Sequence, residues 1–182
     1  MVLTFVVAAT LAAAPGCLCI EGSVARTPCA THRLSAAERA ARREIQARID
    51  LTIEADKAKD VDAATRFDTP DYTVKNLDGS VDTLDQARAG IRAGYERIGR
   101  VSDDTYVHVD CVTLRGDVAT IYVNQHFVRT IRLGDDPALH ELITNITHRE
   151  IWVRTPSGWM QRHIDELQRG PTFIDGKPRL GR

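Results

Sequence analysis

The stretch His140–Leu167, HELITNITHREIWVRTPSGWMQRHIDEL, decides how the rest of the chain is read. From Leu142 to Arg154 the β-branched and aromatic residues are dense (Ile143, Thr144, Ile146, Thr147, Ile151, Trp152, Val153), which is the composition of a strand. Thr155-Pro156-Ser157-Gly158 interrupts the run, and a second strand-like run begins at Trp159. With a four-residue loop, Arg154 stands opposite Trp159, Trp152 opposite Gln161, Glu150 opposite His163 and His148 opposite Asp165. Directly opposed side chains share a face, roughly 5 Å apart at Cβ. One face of this hairpin is therefore expected to hold two histidine–carboxylate couples beside Trp152 and Trp159. The other carries Thr147, Arg149, Ile151, Val153, Met160, Arg162 and Ile164. A shift of one residue would exchange the two sets, because strand side chains alternate with period two.

The 182-residue chain is 43% apolar and 27% charged, which suits one globular domain with a real core. Its 24 basic and 25 acidic residues leave a net charge of −1. No basic excess is available to neutralise phosphates, so a nucleic-acid partner is not expected.

Val2 to Ala14 is an apolar and small-residue run followed by Pro15-Gly16-Cys17, the pattern of a secretory leader. The run is too short to span a bilayer. Residues 1–19 read as a leader, 20–34 as a polar tether, 35–170 as the folded domain and 171–182 as a loosely held tail. The expected location is outside the cytoplasm, periplasmic or secreted. Membrane attachment enters only if Cys17 is lipidated, and Ala14-Pro15-Gly16-Cys17 matches a lipoprotein box loosely. Of the four cysteines, Cys111 falls in a strand and reads as a small buried hydrophobe. A Cys19–Cys29 bond is open in an exported chain. No spacing of His and Cys suits a metal, and no cofactor motif is present.

Ser35-Ala-Ala-Glu38 is a capping box that opens a helix. Ile45, Ile49 and Ile53 then recur at four-residue spacing. Asp60 caps a short second helix that ends before Pro70. Tyr72–Lys75 and Ser80–Thr83 form a small hairpin about Asp78-Gly79, read as a two-residue turn. Thr83 and Gln86 cap a third helix carrying Leu84, Ala87, Ile91, Tyr95 and Ile98. Four long strands follow, the first two turning at Gly116-Asp117. The expected class is α+β: a curved antiparallel sheet wrapped over three N-terminal helices, forming a cone with an internal pocket.

From Ser35 to Leu167 this order resembles the SnoaL-like branch of the nuclear transport factor 2-like (cystatin-like cone) superfamily. The residues that carry the resemblance are Lys59-Asp60-Val-Asp-Ala, Asp71-Tyr72-Thr-Val, Gly116-Asp117-x-Ala119, and Glu150-Ile-Trp152-Val-Arg154 followed by Gly158-Trp159. The resemblance implies a pocket between the concave face and the helices, and homodimers formed through the sheet. It covers ketosteroid isomerase, polyketide cyclases and scytalone dehydratase, together with many proteins of no established activity. The isomerase pattern is incomplete, because Asn76 stands near the place of that enzyme's base aspartate and an amide cannot accept the proton.

A two-residue turn at Gly116 puts Tyr106, His108, Asp110, Val112 and Leu114 on the face of Ala119, Ile121, Val123, Gln125 and Phe127. With that face inward, the catalytic candidates are His148, Glu150, His163 and Asp110. A carboxylate would orient an imidazole base, and burial would raise Asp110. Tyr72, Tyr95, His108, Gln125, Phe127, Trp152 and Gln161 would contact a small, largely apolar ligand. Singly, each residue is as readily a structural group; together, buried polar groups need partners, solvent or a ligand. Two functions stay open. One is small-ligand binding without catalysis. The other is a cofactor-independent lyase, isomerase or cyclase using a histidine–carboxylate pair.

Overall fold

The computed structural model describes residues 33–179. The leader, most of the tether, and Cys17, Cys19 and Cys29 lie outside the described residues. The chain forms helix α1 (Ala36–Ala58), α2 (Val61–Ala64), strands β1 (Asp68–Lys75) and β2 (Val81–Thr83), and helix α3 (Leu84–Arg97). Strands β3 (Ile98–Val101), β4 (Tyr106–Arg115), β5 (Val118–Arg132), β6 (Leu139–Thr155) and β7 (Gly158–Arg169) follow, then β8 (Thr172–Ile174) and β9 (Lys177–Arg179). This is the expected α+β class, with a curved, unclosed sheet packed on three helices.

Both capping boxes form. Ser35 Oγ accepts from the Glu38 amide while the Glu38 carboxylate accepts from the Ser35 amide, and Thr83 and Gln86 do the same for α3. Each arrangement satisfies amides that the first helical turn leaves without partners. The α1 stripe Ala41, Ile45, Ile49 and Ile53 is buried against Val112, Ile121, Val123, Trp152 and Trp159.

The sheet runs β2-β1-β7-β6-β5, with β3 and β4 both pairing the far side of β5. It is mixed rather than purely antiparallel, because β1 lies parallel to β7. The β1–β2 connection is also wider than a two-residue turn. Lys75 pairs with Val81, the Asn76 amide donates to the Ser80 carbonyl, and Gly79 takes φ 85°. A three-residue loop closed by a left-handed glycine is the next commonest hairpin.

The tail also differs from the sequence reading. Asp175 and Gly176, with φ 50° and 73°, make the tight turn of a β8–β9 hairpin whose first strand pairs with β6 at Leu142 and Ile143. Cys111 is buried, as expected, but it is disulfide-bonded rather than a free thiol.

Candidate functional site

Two strand bulges decide which side chains reach the interior. At the β6–β7 turn Arg154 pairs with Trp159 and Trp152 with Gln161, as in the sequence reading, while Thr155 pairs with Gly158 and shortens the four-residue loop to Pro156-Ser157. Ile151 then pairs with His163, so Arg162 is an extra residue on β7. A bulge of one residue turns everything beyond it to the other face. Ile164 therefore faces inward beside Glu150, and His163 and Asp165 face outward with Ile151 and Arg149. The same occurs on β4, where Val109 pairs with Val123 but Cys111 pairs with Tyr122, leaving Asp110 extra. Val107 and Val109 point inward in place of His108 and Asp110.

Five expectations are corrected on this ground, those for His163, Asp165, Asp110, His108 and Tyr106. His163 lies outside the cone, its Nδ1 2.8 Å from Thr73 Oγ1 and its Nε2 3.3 Å from Asp165 Oδ2. Asp165 in turn accepts from Arg149 at 2.6 and 3.0 Å. The guanidinium and His163 hold the Asp165 carboxyl below its usual range against its desolvation. Asp110 accepts from the Asn124 amide on the outer face. His108 meets Arg42 of α1 at 3.0 Å at the sheet edge. Tyr106 stacks on His126, with ring centroids 5.1 Å apart.

Under the concave face lies a cavity of about 80 Å³. It gathers Tyr72, Gln125, His148, Glu150, Trp152 and Gln161. Phe127 and Tyr95 sit in the neighbouring apolar cluster rather than on its wall. Tyr95 reaches it indirectly, donating to Asp56 at 2.5 Å. Two carboxyl groups that sequence reasoning missed complete the lining, Asp56 and Asp68. Asp56 carried a usable signal: it falls one turn after Ile53 on the apolar stripe, and Ile49, Thr52, Ile53 and Asp56 all line the cavity. Asp68 had none, because only the parallel pairing of β1 with β7 brings it opposite Gln161.

Glu150, 3% exposed, is fixed by Trp152 Nε1 at 2.8 Å and Gln161 Nε2 at 2.7 Å, both donating to Oε2. Its Oε1 lies 3.6 Å from His148 Nδ1. That is too long for a hydrogen bond, so the two groups meet through their charges rather than through a shared proton. His148 is 6% exposed, and its Nε2 has no partner among the described residues. Burial, with the Glu150 charge adding to it, pushes the Asp68 carboxyl up to about 7. Burial also raises Asp56, partly offset by the Tyr95 hydrogen bond. The Tyr72 phenol is pushed well up by burial and then by Asp68 and Glu150, so it stays a neutral donor. The cavity thus offers an oriented imidazole, a carboxyl half-ionised near neutrality and a phenol. Among the described residues no cluster of His, Cys, Asp and Glu suits a metal ion.

Solved structures of the same architecture are numerous. A nuclear transport factor 2-like superfamily protein from Salmonella enterica serovar Typhimurium matches 71% of this chain and 91% of its own, at 15% identity and TM-score 0.57. The fold is the nuclear transport factor 2-like cone. A ketosteroid isomerase-like protein from Erwinia carotovora atroseptica matches 70% and 96%, at 13% identity and TM-score 0.53. A Kribbella flavida protein matches 72% and 94%, at 19% identity and TM-score 0.59. No protein-family model matches the sequence, and neither does any curated protein.

Proposed function

We propose that the cone cavity binds a small carbonyl compound and moves a proton on it without a cofactor. One observation carries this reading: His148, Glu150, Asp68 and Tyr72 line the same cavity. Nε2 of His148, its ring oriented by Glu150, takes a proton from the carbon beside the carbonyl. The protonated Asp68 carboxyl gives one to the substrate oxygen, and Tyr72 donates a hydrogen bond to that oxygen. A carboxyl near pH 7 is matched to such a task. Lyase and isomerase outcomes differ only in where the proton returns or whether a hydroxyl leaves with it.

Size restricts the ligand. About 80 Å³ is half of the roughly 150 Å³ that holds a benzene, so the bound part has few heavy atoms. The wall is also more polar than a largely apolar ligand requires. This small size favours a second reading, ligand retention without turnover. The reading of export draws support from the Cys111 disulfide, since such bonds persist in oxidising compartments. Homodimers through the outer face of the sheet fit the half-buried Tyr122, Ile151, Val153 and Met160 there.

Proton NMR in D₂O with small ketones and hydroxyketones tests the chemistry. The protein is expected to speed exchange of the α-protons, and His148→Gln and Asp68→Asn to lose that rate by about 10²-fold or more. Binding of these compounds with exchange no faster than in buffer would leave retention as the function. Equal exchange rates in folded variants would remove the proposed roles.

A further inference from the structure

A second concavity shares no lining residue with the cone cavity. It is an open groove of about 800 Å³ between the end of α3, the start of β6 and the β8–β9 hairpin. Its floor is aliphatic, made by Ile98, Ile131, Leu133, Leu142 and Ile174. Its rim is basic, with Arg97, Lys177 and Arg179. Asp175 is the one acid among its lining residues, and it is already committed. Its Oδ2 lies 2.8 Å from His140 Nδ1, and its Oδ1 accepts from the Glu141 amide at 2.9 Å. The hairpin wall is fixed by backbone pairing of Leu142 with Ile174 and by the Asp175 amide on the Glu141 carbonyl. The groove is therefore built in advance and within the size range of small-molecule sites.

An apolar floor alone would suit any hydrophobe. The excess of positive charge on the rim selects among them, because a cationic rim attracts an anionic head and leaves a neutral alkyl compound without that contribution. We propose that the groove is a binding site for a monomeric medium-chain alkyl carboxylate. Its chain lies on Ile131, Leu142 and Ile174, and its carboxylate lies at Lys177 and Arg179. This site is independent of the proton chemistry proposed for the cone.

Titration of the full chain with decanoate, decanol and acetate, followed by calorimetry and amide NMR shifts, tests it. Decanoate is expected to bind, to shift Leu133, Leu142 and Ile174, and to weaken as salt is raised. Decanol is expected to bind at least tenfold more weakly, and acetate not at all. The exposed pair Lys177→Glu and Arg179→Glu, checked for folding by circular dichroism, is expected to cut decanoate affinity about tenfold or more. His148→Gln is expected to bind decanoate as the unaltered chain does, which separates this site from the cone. Decanol binding as tightly as decanoate, unchanged affinity in the charge-reversed chain, or no decanoate binding would each overturn the proposal.

Discussion

Nδ1 of His148 lies 3.6 Å from Oε1 of Glu150, two residues along its own strand, and not beside the carboxylate opposite it in a regular hairpin. His163 repeats the arrangement with Asp165 at 3.3 Å on the other face. Each histidine thus takes its acid from the i+2 position. Glu150 also holds Trp152 and Gln161, so it links the imidazole to the core. Glu150→Gln keeps these acceptor contacts but removes the charge. Its expected effect is a fall in the Asp68 midpoint from about 7, stopping above the ordinary aspartate value because burial is the larger cause. Carbon NMR titration of the Asp68 carboxyl measures it, and an unmoved midpoint would show that the two groups do not interact. Glu150→Ala leaves the buried Trp152 Nε1 without an acceptor and is expected to cost about 1–3 kcal/mol in denaturant unfolding.

Asp68 makes stability depend on pH in the direction opposite to a salt-bridged carboxylate. Its folded value, about 7, lies above the ordinary 3.8. Between those limits the folded chain keeps a proton that the unfolded chain has released, so stability falls as pH rises across this window. Asp68→Asn removes the slope. At pH 8 the variant is expected to be more stable than the unaltered chain, by up to about 4 kcal/mol at 1.36 kcal/mol per pH unit, and at pH 4 nearly equal to it. Urea unfolding at the two pH values decides the point, and equal stability at both would contradict it.

The tail hairpin has its own pH dependence. His140 places Nδ1 2.8 Å from Asp175 and Nε2 3.1 Å from Asp136, so both ring nitrogens donate only when the ring is protonated. These hydrogen bonds raise His140 and lower Asp175, and Asp136 is lowered first by the Ala138 amide and then by His140. A raised histidine contributes fully below its unfolded value, about 6.5, and the contribution is lost as pH climbs through the folded value. The lowered carboxyls lose theirs only as pH falls through their folded values. Amide hydrogen exchange at Ile174 and Leu142 is expected to quicken above that histidine transition beyond the ordinary base dependence. His140→Gln is expected to show no such step.

At the β6–β7 turn Gly158 takes φ +100°, and a β-carbon there would meet the Arg48 guanidinium, which donates to the Ser157 carbonyl at 2.6 Å. Gly158→Ala is expected to destabilise by about 1–3 kcal/mol through backbone strain. Gly116→Ala, with φ +59° and open space around it, should cost less. Thermal unfolding of the two variants side by side tests the ranking.

Local signals were readable where local physics sets the structure. Capping boxes at Ser35 and Thr83 act within one turn of helix, and the Ile45–Ile49–Ile53 stripe follows from helical period alone. That His148, Glu150 and Trp152 share one face of β6 was readable for the same reason, since strand side chains alternate; that this face is the inward one was not, because the opposite face is about as apolar. What failed was long-range. A skipped residue in a ladder, as at Asp110 and Arg162, leaves no mark on alternation, so Asp110, His108 and His163 were placed on the wrong face. Strand order is equally silent, which hid Asp68. Asp175-Gly176 was the opposite case, a hairpin signal as plain as Asp78-Gly79 within a tail whose Gly, Pro and Lys content reads as loose.

Arg162 sets which of two chemistries this protein holds inside. With the turn at Pro156-Ser157 unchanged, closing the bulge so that Arg162 pairs with Ile151 would bring His163 opposite Glu150 and turn Ile164 out of the core. A single step of register therefore separates a cone with a lone histidine against Glu150 from a cone with two. A strand that opens or closes a bulge can exchange the side chains that face the interior without any substitution.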